Sequence, residues 1–297
     1  TINGWAIENR LYAEDPYRNF LPSIGRLTRY RPPEEFESAE YVIRNDTGVF
    51  EGGEISMYYD PMIAKLCTWA PTREKAIEQM REALDGFEVE GIGHNLPFLS
   101  AVMDHPRFIK GDITTAFIEE EYTEGFVGVE LAEEELMRIA ASCAAMNRVA
   151  EIRRTKISGR MDNHERRVGD DWIVTLQNKK YELKIVADHL GSTVQFKDGA
   201  KIRVEGRWTP GDQLAKMLVD ETRLTMKVGK ITGGFHIRNR GADLKVLVRS
   251  KIQSELAHHM IEKTPPDTSK ILMCPMPGLL VKIDVQVGEE VQEGQAL

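Results

Sequence analysis

Arg10 is the residue in this sequence with the clearest potential for chemistry. It ends a Glu-Asn-Arg tripeptide within an alternating apolar run at residues 5–12, which predicts a β-strand. A guanidinium fixed on a strand stays charged at physiological pH and can stabilise an oxyanion that develops on a substrate. The simpler interpretation is a surface arginine paired with Glu14 or Asp15, because such ion pairs are common and weak.

A second group of candidate residues is basic. Arg160, His164, Arg166 and Arg167 lie in residues 155–171, between a predicted long helix and the first of a series of predicted strands. A connection of this length inside a compact domain is usually functional or disordered. Because the whole chain has a net charge of −8, a local basic cluster can dock on an acidic partner surface. We expect a protein contact here, and the alternative is a mobile surface loop.

The other polar residues exclude several kinds of site. The three cysteines, Cys67, Cys143 and Cys274, are far apart and form no C-x-x-C pair, and none of the seven histidines belongs to an H-E-x-x-H pattern. The sequence therefore predicts no metal site, and an odd number of cysteines argues against a disulfide framework. We expect buried thiols in a reducing compartment.

Composition limits the class of protein. A chain of 297 residues with 41% hydrophobic and 29% charged residues predicts a soluble globular protein of about two domains. The negative net charge argues against nucleic acid as a partner. No apolar run is long enough to span a membrane, and the first residues lack the pattern of a secretory signal peptide.

The elements that must position the candidate residues divide into four regions. Residues 1–122 mix strands with helices, and Thr72 is placed to cap a helix. Residues 123–253 begin with a long alanine-rich helix from Glu133 to Arg154, followed by about eight short strands that form a sandwich or a barrel. The helix favours a barrel or curled sheet wrapped around it. Residues 254–270 are predicted to be a linker, and residues 271–297 a hairpin with a strand at 280–285.

Five motifs in the first region resemble the C-terminal subdomain of biotin carboxylase. They are AIENRLYAEDP at 6–16, FLPSIG at 20–25, YYDPMIAKL at 58–66, TREKAI at 72–77 and GIGHN at 91–95. The resemblance implies that Arg10 steadies the enolate form of the biotin ureido group. It also implies that the ATP-binding part, with its bicarbonate and Mg sites, lies before Thr1.

The other two regions resemble further parts of the same enzymes. Residues 133–249 are similar to the domain that joins carboxylase and carboxyltransferase subunits, a β-barrel around a long helix. MPG at 276–278 and GEEVQEGQ at 288–295 resemble the first half of a biotinyl carrier domain. In that family the lysine that carries biotin follows in the second half, so we expect it beyond Leu297. The implied fold class is α+β and multidomain: a biotin carboxylase C-terminal subdomain, a barrel around a helix, and a truncated carrier barrel-sandwich.

This order of domains resembles the alpha subunits of biotin-dependent acyl-CoA carboxylases. Propionyl-CoA carboxylases are the most similar, and methylcrotonyl-CoA carboxylases are the alternative. The resemblance implies a ligase that uses ATP, Mg and covalent biotin, with a carboxyltransferase beta subunit and a biotin ligase as partners. It implies a cytoplasmic location in bacteria or the mitochondrial matrix in eukaryotes. A competing interpretation is a non-catalytic assembly module, because this stretch alone is expected to be inactive.

Overall fold

The structure is a computed structural model that describes residues 3–56, 58–158, 167–261 and 282–289. Contacts divide the chain into two compact units, Thr1–Leu256 and Ala257–Leu297. None of the helices among the described residues is long and apolar enough to cross a lipid bilayer.

The first unit begins with a mixed α/β domain. Its elements in chain order are β1 (Trp5–Tyr12), β2 (Glu14–Asp15), a 3-10 helix (Pro16–Arg18), β3 (Leu21–Pro22), β4 (Gly25–Arg26), β5 (Arg29–Arg31), β6 (Phe36–Glu37), β7 (Val42–Thr47), β8 (Glu54–Ile55), β9 (Met62–Ala70), α1 (Arg73–Gly86), β10 (Glu88–Glu90), α2 (Leu96–Asp104), α3 (Pro106–Lys110) and α4 (Phe117–Glu121). As predicted, the Thr72 side chain caps α1, accepting a hydrogen bond from the Lys75 backbone at 3.3 Å.

An antiparallel sheet of four strands, in the order β1-β9-β7-β6, organises this domain. Because alternate residues of a strand point to opposite faces, Leu11, its partner Ala64 and Leu66 are buried on one face. They share a hydrophobic core with residues of α1 and α2, such as Met80 and Leu99. The opposite face of the sheet carries polar residues such as Arg10 and Lys65. Strand β1 lies at one edge of the sheet.

The second domain of this unit is a closed antiparallel barrel, which settles the choice between sandwich and barrel. Its elements are α5 (Glu133–Thr155), β11 (Asp171–Leu176), β12 (Lys179–Ala187), β13 (Gly191–Phe196), β14 (Lys201–Glu205), β15 (Leu214–Val219), β16 (Thr222–Ile231), β17 (Gly234–Asn239) and β18 (Ala242–Arg249). Each strand pairs with its neighbours in the chain, and β18 pairs with β11 to close the ring. The eight predicted strands are therefore confirmed.

Helix α5 shares its core with the barrel wall. Its buried residues from Leu136 to Met146 belong to one hydrophobic cluster with inward-facing strand residues such as Val174, Ile185 and Val246. The helix packs most closely against seven of the eight strands, and β16 lies further from it. Alanines at 140, 141, 144 and 145 are the small side chains that allow strands to approach this helix from several sides.

The two domains of the first unit meet at a buried polar junction. At the end of α1, the Asp85 carboxylate accepts a hydrogen bond from the Arg240 backbone at 3.0 Å and pairs with the Arg240 side chain at 2.9 Å. The Lys227 ammonium donates to the Leu84 carbonyl at 2.9 Å. The β17–β18 turn approaches so closely that a Cβ on Gly241 would lie 2.6 Å from the Pro97 carbonyl oxygen. Paired charges and close packing thus tie the barrel to α1 and α2.

The C-terminal expectations are met only in part. Helix α6 (Lys251–Ala257) extends into the start of the predicted linker. The turn predicted at Gly288 is present, with a φ of +96°. Residues 282–285 of the predicted strand are irregular, because they pair with no strand in the described part of the chain. The rest of the linker and of the predicted carrier half lies outside the described residues.

Candidate functional site

Arg10 lies on the outer face of the sheet, near the end of β1. Its side chain is 57% exposed, and its Nε donates a hydrogen bond to the Glu8 carboxylate at 3.1 Å. The partner is therefore Glu8 rather than Glu14 or Asp15, because residues two apart on a strand share a face. Strand periodicity was the signal that could have identified this pair.

The charge of Arg10 is stable. The Glu8 carboxylate, and after it the Tyr12 side chain, raise the pKa of the Arg10 guanidinium above its usual value. The group is consequently a permanent cation that faces solvent. Such a group can bind or stabilise negative charge, but it cannot accept a proton as a general base.

Further polar residues on the same face surround Arg10. In the register of the sheet, Lys65 of β9 is the cross-strand neighbour of both Arg10 and Asp46. Two residues further along β9, on the same face, Cys67 lies opposite Glu8 and Arg44. Its Sγ is 3.9 Å from the Glu8 carboxylate and 4.0 Å from the Arg44 guanidinium. The sequence analysis did not group these residues, since they come from three separate strands.

The Cys67 thiol is not an activated nucleophile. Burial is the largest effect on its pKa and raises it. The Arg44 charge lowers the pKa and the nearby Glu8 carboxylate raises it, and the net result is a pKa above the usual value. A cysteine nucleophile needs a lowered pKa, because the thiolate is the reactive form. The outer face of the sheet therefore offers Arg10 as a charge-stabilising group, without covalent chemistry from Cys67.

The end of β1 is held from its free edge by Asn95. The Asn95 carboxamide accepts a hydrogen bond from the Tyr12 backbone at 2.9 Å and donates one to the Arg10 carbonyl at 3.1 Å. The Asn95 backbone N–H also donates to the Tyr12 carbonyl at 3.2 Å. The sequence motif contained Asn95, but no local pattern indicated that it would contact β1.

The predicted basic cluster is described only at one residue. Arg160, His164 and Arg166 lie outside the described residues, whereas Arg167 is exposed. Arg167 borders a cavity of roughly 1010 Å³ at one end of the barrel, together with Arg153 of α5. Arg153 donates to the Pro210 carbonyl at 3.2 Å, so it also links the helix to the barrel wall.

The side-chain chemistry of the described residues bears on two ligands: a metal ion needs carboxylate, imidazole or thiolate ligands, and the biotin ureido oxygen needs a hydrogen-bond donor. No group of three or more His, Cys, Asp or Glu side chains in this part of the chain is arranged to hold a metal ion. An exposed, permanently charged arginine does fit the polar head of biotin, whose ureido oxygen is a hydrogen-bond acceptor.

Two families of domains match the chain. The biotin carboxylase C-terminal domain matches residues 8–120, and the propionyl-coenzyme A carboxylase BT domain matches residues 139–263. The propionyl-CoA carboxylase alpha chain of Ruegeria pomeroyi is 70% identical over 311 residues, covering 100% of this chain and 46% of that protein. The chain belongs to the acyl-CoA carboxylase alpha-chain family.

Other members of the family are less similar. The mitochondrial propionyl-CoA carboxylase alpha chain of Mus musculus is 37% identical, with 100% of this chain and 41% of that protein covered. The mitochondrial methylcrotonoyl-CoA carboxylase subunit alpha of Dictyostelium discoideum is 27% identical, with 100% of this chain and 43% of that protein covered. The chain spans less than half the length of each of these family members.

Proposed function

We propose that this chain acts as part of the alpha subunit of a propionyl-CoA carboxylase. That ligase uses ATP and bicarbonate to carboxylate biotin, and the carboxyl group then passes to propionyl-CoA on a beta subunit. The 70% identity to a propionyl-CoA carboxylase alpha chain over the whole chain carries the proposal. It also favours propionyl-CoA over methylcrotonyl-CoA, for which the identity is 27%.

Arg10 is the residue proposed to act in the carboxylation of biotin. Bound biotin supplies a ureido nitrogen, which is a poor nucleophile until negative charge develops on the ureido group. The Arg10 guanidinium is exposed and permanently charged, so it can stabilise that negative charge without gaining or losing a proton. Glu8 orients the guanidinium through its hydrogen bond to Nε.

The remaining regions supply the proposed cofactor and partners. We assign residues 1–122 to the carboxylase C-terminal subdomain, 123–253 to the joining domain, 254–270 to a linker and 271–297 to the first half of a biotinyl carrier domain. The match to the BT domain supports the joining domain, which we propose binds the carboxyltransferase beta subunit. A biotin ligase would load the carrier, and ATP with Mg would bind elsewhere in the subunit. Bacterial and mitochondrial family members support the cytoplasm or the mitochondrial matrix as the compartment.

The function is tested by replacing Arg10 in the complete alpha subunit. We expect Arg10→Ala to lower the rate of ATP-dependent carboxylation of free biotin by roughly 10²–10³-fold, as for other lost oxyanion donors. Arg31→Ala is the matched control, because Arg31 is also 57% exposed and paired with a glutamate, Glu51 at 3.6 Å. The control should retain the full rate.

A full carboxylation rate in the Arg10→Ala variant would contradict the proposed role. If that variant still co-purified with the beta subunit, the result would favour the non-catalytic assembly module. Circular dichroism and thermal unfolding of both variants establish that the fold is retained.

A further inference from the structure

The backbone that carries Arg10 lies at an exposed edge of the sheet. Strand β1 is the first strand in the order β1-β9-β7-β6, so β9 is the only one of the described strands that pairs with it. The register with β9 shifts between Leu11 and Tyr12, immediately after Arg10. An edge strand has hydrogen-bonding partners on one side alone, and a register shift disrupts the ladder on that side. Such a strand by itself constrains the position of a side chain poorly.

Asn95 supplies the hydrogen bonds that a neighbouring strand would otherwise make. Its carboxamide bonds to the Arg10 carbonyl and to the Tyr12 N–H, and its backbone N–H bonds to the Tyr12 carbonyl. One residue, only 6% exposed, therefore provides hydrogen-bond partners for three backbone groups of β1. A buried amide with both its donor and its acceptor in use fixes the backbone in one register.

The local role expected for Asn95 is a different one. Asn95 occupies the N-cap position of α2, where an asparagine side chain usually accepts a hydrogen bond from the first turn of the helix. Here the side chain makes no capping hydrogen bond. The carboxamide forms its hydrogen bonds with β1 instead. Helix α2 consequently lacks the stabilisation of a side-chain cap, while the strand that carries Arg10 gains two hydrogen bonds.

The position of Asn95 is itself fixed on both sides. The Leu99 N–H donates to the Asn95 carbonyl at 3.0 Å, which ties the residue to α2. Before it, the Gly93 N–H donates to the Ser23 hydroxyl at 2.9 Å. Gly91 has a φ of +102°, and a Cβ there would lie 2.2 Å from the Arg26 carbonyl oxygen. The loop before Asn95 is therefore packed tightly against the β4–β5 region.

We propose that Asn95 is a positioning residue for Arg10: its carboxamide holds the β1 backbone so that the guanidinium is presented in one place. The inference rests on the proposed function, because it assumes that Arg10 acts on biotin. Asn95 does not touch the reacting groups and acts only through the backbone of Arg10.

The proposal is tested with Asn95→Asp in the complete alpha subunit. This isosteric change keeps the acceptor for the Tyr12 N–H but replaces the donor to the Arg10 carbonyl with an oxygen. We expect kcat and kcat/KM for free biotin to fall together by about 10- to 100-fold, as when a catalytic group is displaced by about 1 Å. The KM for ATP should not change. Asn95→Ser, which is smaller and uncharged, serves as a second variant if Asn95→Asp is poorly folded.

A double-mutant cycle with Arg10→Ala separates positioning from general destabilisation. If Asn95 acts through Arg10, adding Asn95→Asp to Arg10→Ala produces no further loss of rate. Thr68→Val is the control, because it removes another buried hydrogen bond of the same sheet, from the Thr68 hydroxyl to the Ala76 carbonyl at 3.0 Å. It should lower the melting temperature without changing kcat for biotin.

Two outcomes would overturn the inference in distinguishable ways. If Asn95→Asp lowers the rate by the same factor with and without Arg10, or leaves it unchanged in the wild type, Asn95 does not position Arg10. If Arg10→Ala alone has the full rate, the role of Arg10 fails, and the positioning role fails with it.

Discussion

Two basic side chains of this chain, Arg10 and His94, differ in their exposure to solvent and in their charge. Arg10 faces solvent and keeps its charge, whereas His94, in the loop before α2, is half-buried near the Lys227 and Arg238 charges of the barrel. Burial, followed by the Lys227 and Arg238 charges, lowers the pKa of His94 to about 3. Its Nδ1 is buried and has no hydrogen-bond partner among the described residues. His94 is therefore neutral in the folded chain at physiological pH.

This neutral histidine makes stability depend on pH. Its pKa is about 3 in the folded chain and 6.5 without the fold, so only the unfolded state gains a proton as the pH falls between these values. The stabilisation is complete above pH 6.5 and is lost toward pH 3, with a slope of at most about 1.4 kcal/mol per pH unit. We expect urea unfolding between pH 7 and 4.5 to show a shallower pH dependence in His94→Gln than in the wild type.

The exposed His189 offers a control for this measurement. His189→Gln should follow the pH dependence of the wild type. Parallel stability curves for His94→Gln and the wild type would show that His94 gains its proton equally in both states, against the expectation.

At the scale of elements, the junction between α1 and the β17–β18 turn depends on one buried carboxylate. Asp85 is 5% exposed, and it receives both the backbone N–H and the side chain of Arg240. Burial raises the pKa of Asp85, while Arg240 acts in the opposite direction. Asp85→Asn weakens the charge-assisted hydrogen bonds from Arg240, which keeps the Asp104 carboxylate at 3.6 Å as a second partner. We therefore expect this substitution to lower the free energy of unfolding by about 2 kcal/mol in chemical denaturation.

An exposed pair in the barrel is the comparison for this variant. Glu182 and Lys197 are 2.7 Å apart, with side chains 55% and 72% exposed. Surface pairs contribute about 0–1 kcal/mol, so Glu182→Gln should change stability little. Equal effects of the two substitutions would mean that the junction adds no more to stability than a surface ion pair does.

Sequence patterns predict the strands of the barrel, but they do not predict the exact position of every turn. Alternating apolar residues predict all eight barrel strands, because each strand buries one face against the core. The first hairpin turn of the barrel lies at Gln177 and Asn178, both with positive φ, and it does not extend to the two lysines that follow. Lys179 and Lys180 pair within the ladder instead, because a two-residue turn suits the twist of a hairpin.

The contacts that matter most for the candidate site connect distant parts of the chain. Asn95 is 85 residues from Arg10, and Asp85 is 155 residues from Arg240. No periodicity or turn signal encodes such pairs, because they form only when whole elements pack together. Arg10 itself was found through its motif, whereas the residue that holds its backbone required the three-dimensional structure.

At the scale of the whole molecule, the proposed beta-subunit contact depends on charge at one end of the barrel. Arg167 is exposed there, beside the cavity that it shares with Arg153. If this end meets an acidic surface, Arg167→Glu should weaken association with the beta subunit by about tenfold at low salt and less at high salt. Biolayer interferometry with the complete alpha subunit measures both conditions.

A charge reversal elsewhere on the barrel controls for net charge. Arg223 is exposed at the start of β16, and it is the opposite end of this strand, at Lys230 and Ile231, that borders the cavity with Arg167. Arg223→Glu therefore makes the same change in charge away from Arg167. If the two variants bind the beta subunit equally well, the contact lies on another surface of the domain.

The closed ring around α5 has a consequence for how the protein is made. The helix leaves the ribosome before any strand of the barrel, and the ring closes only when β18 pairs with β11, as in the pair Ile173 and Arg249. At about 5–20 residues per second, translation separates these events by several seconds. During that interval, the apolar surface of the nascent helix has no wall to cover it. Chaperone binding during synthesis is therefore expected to concentrate on this helix.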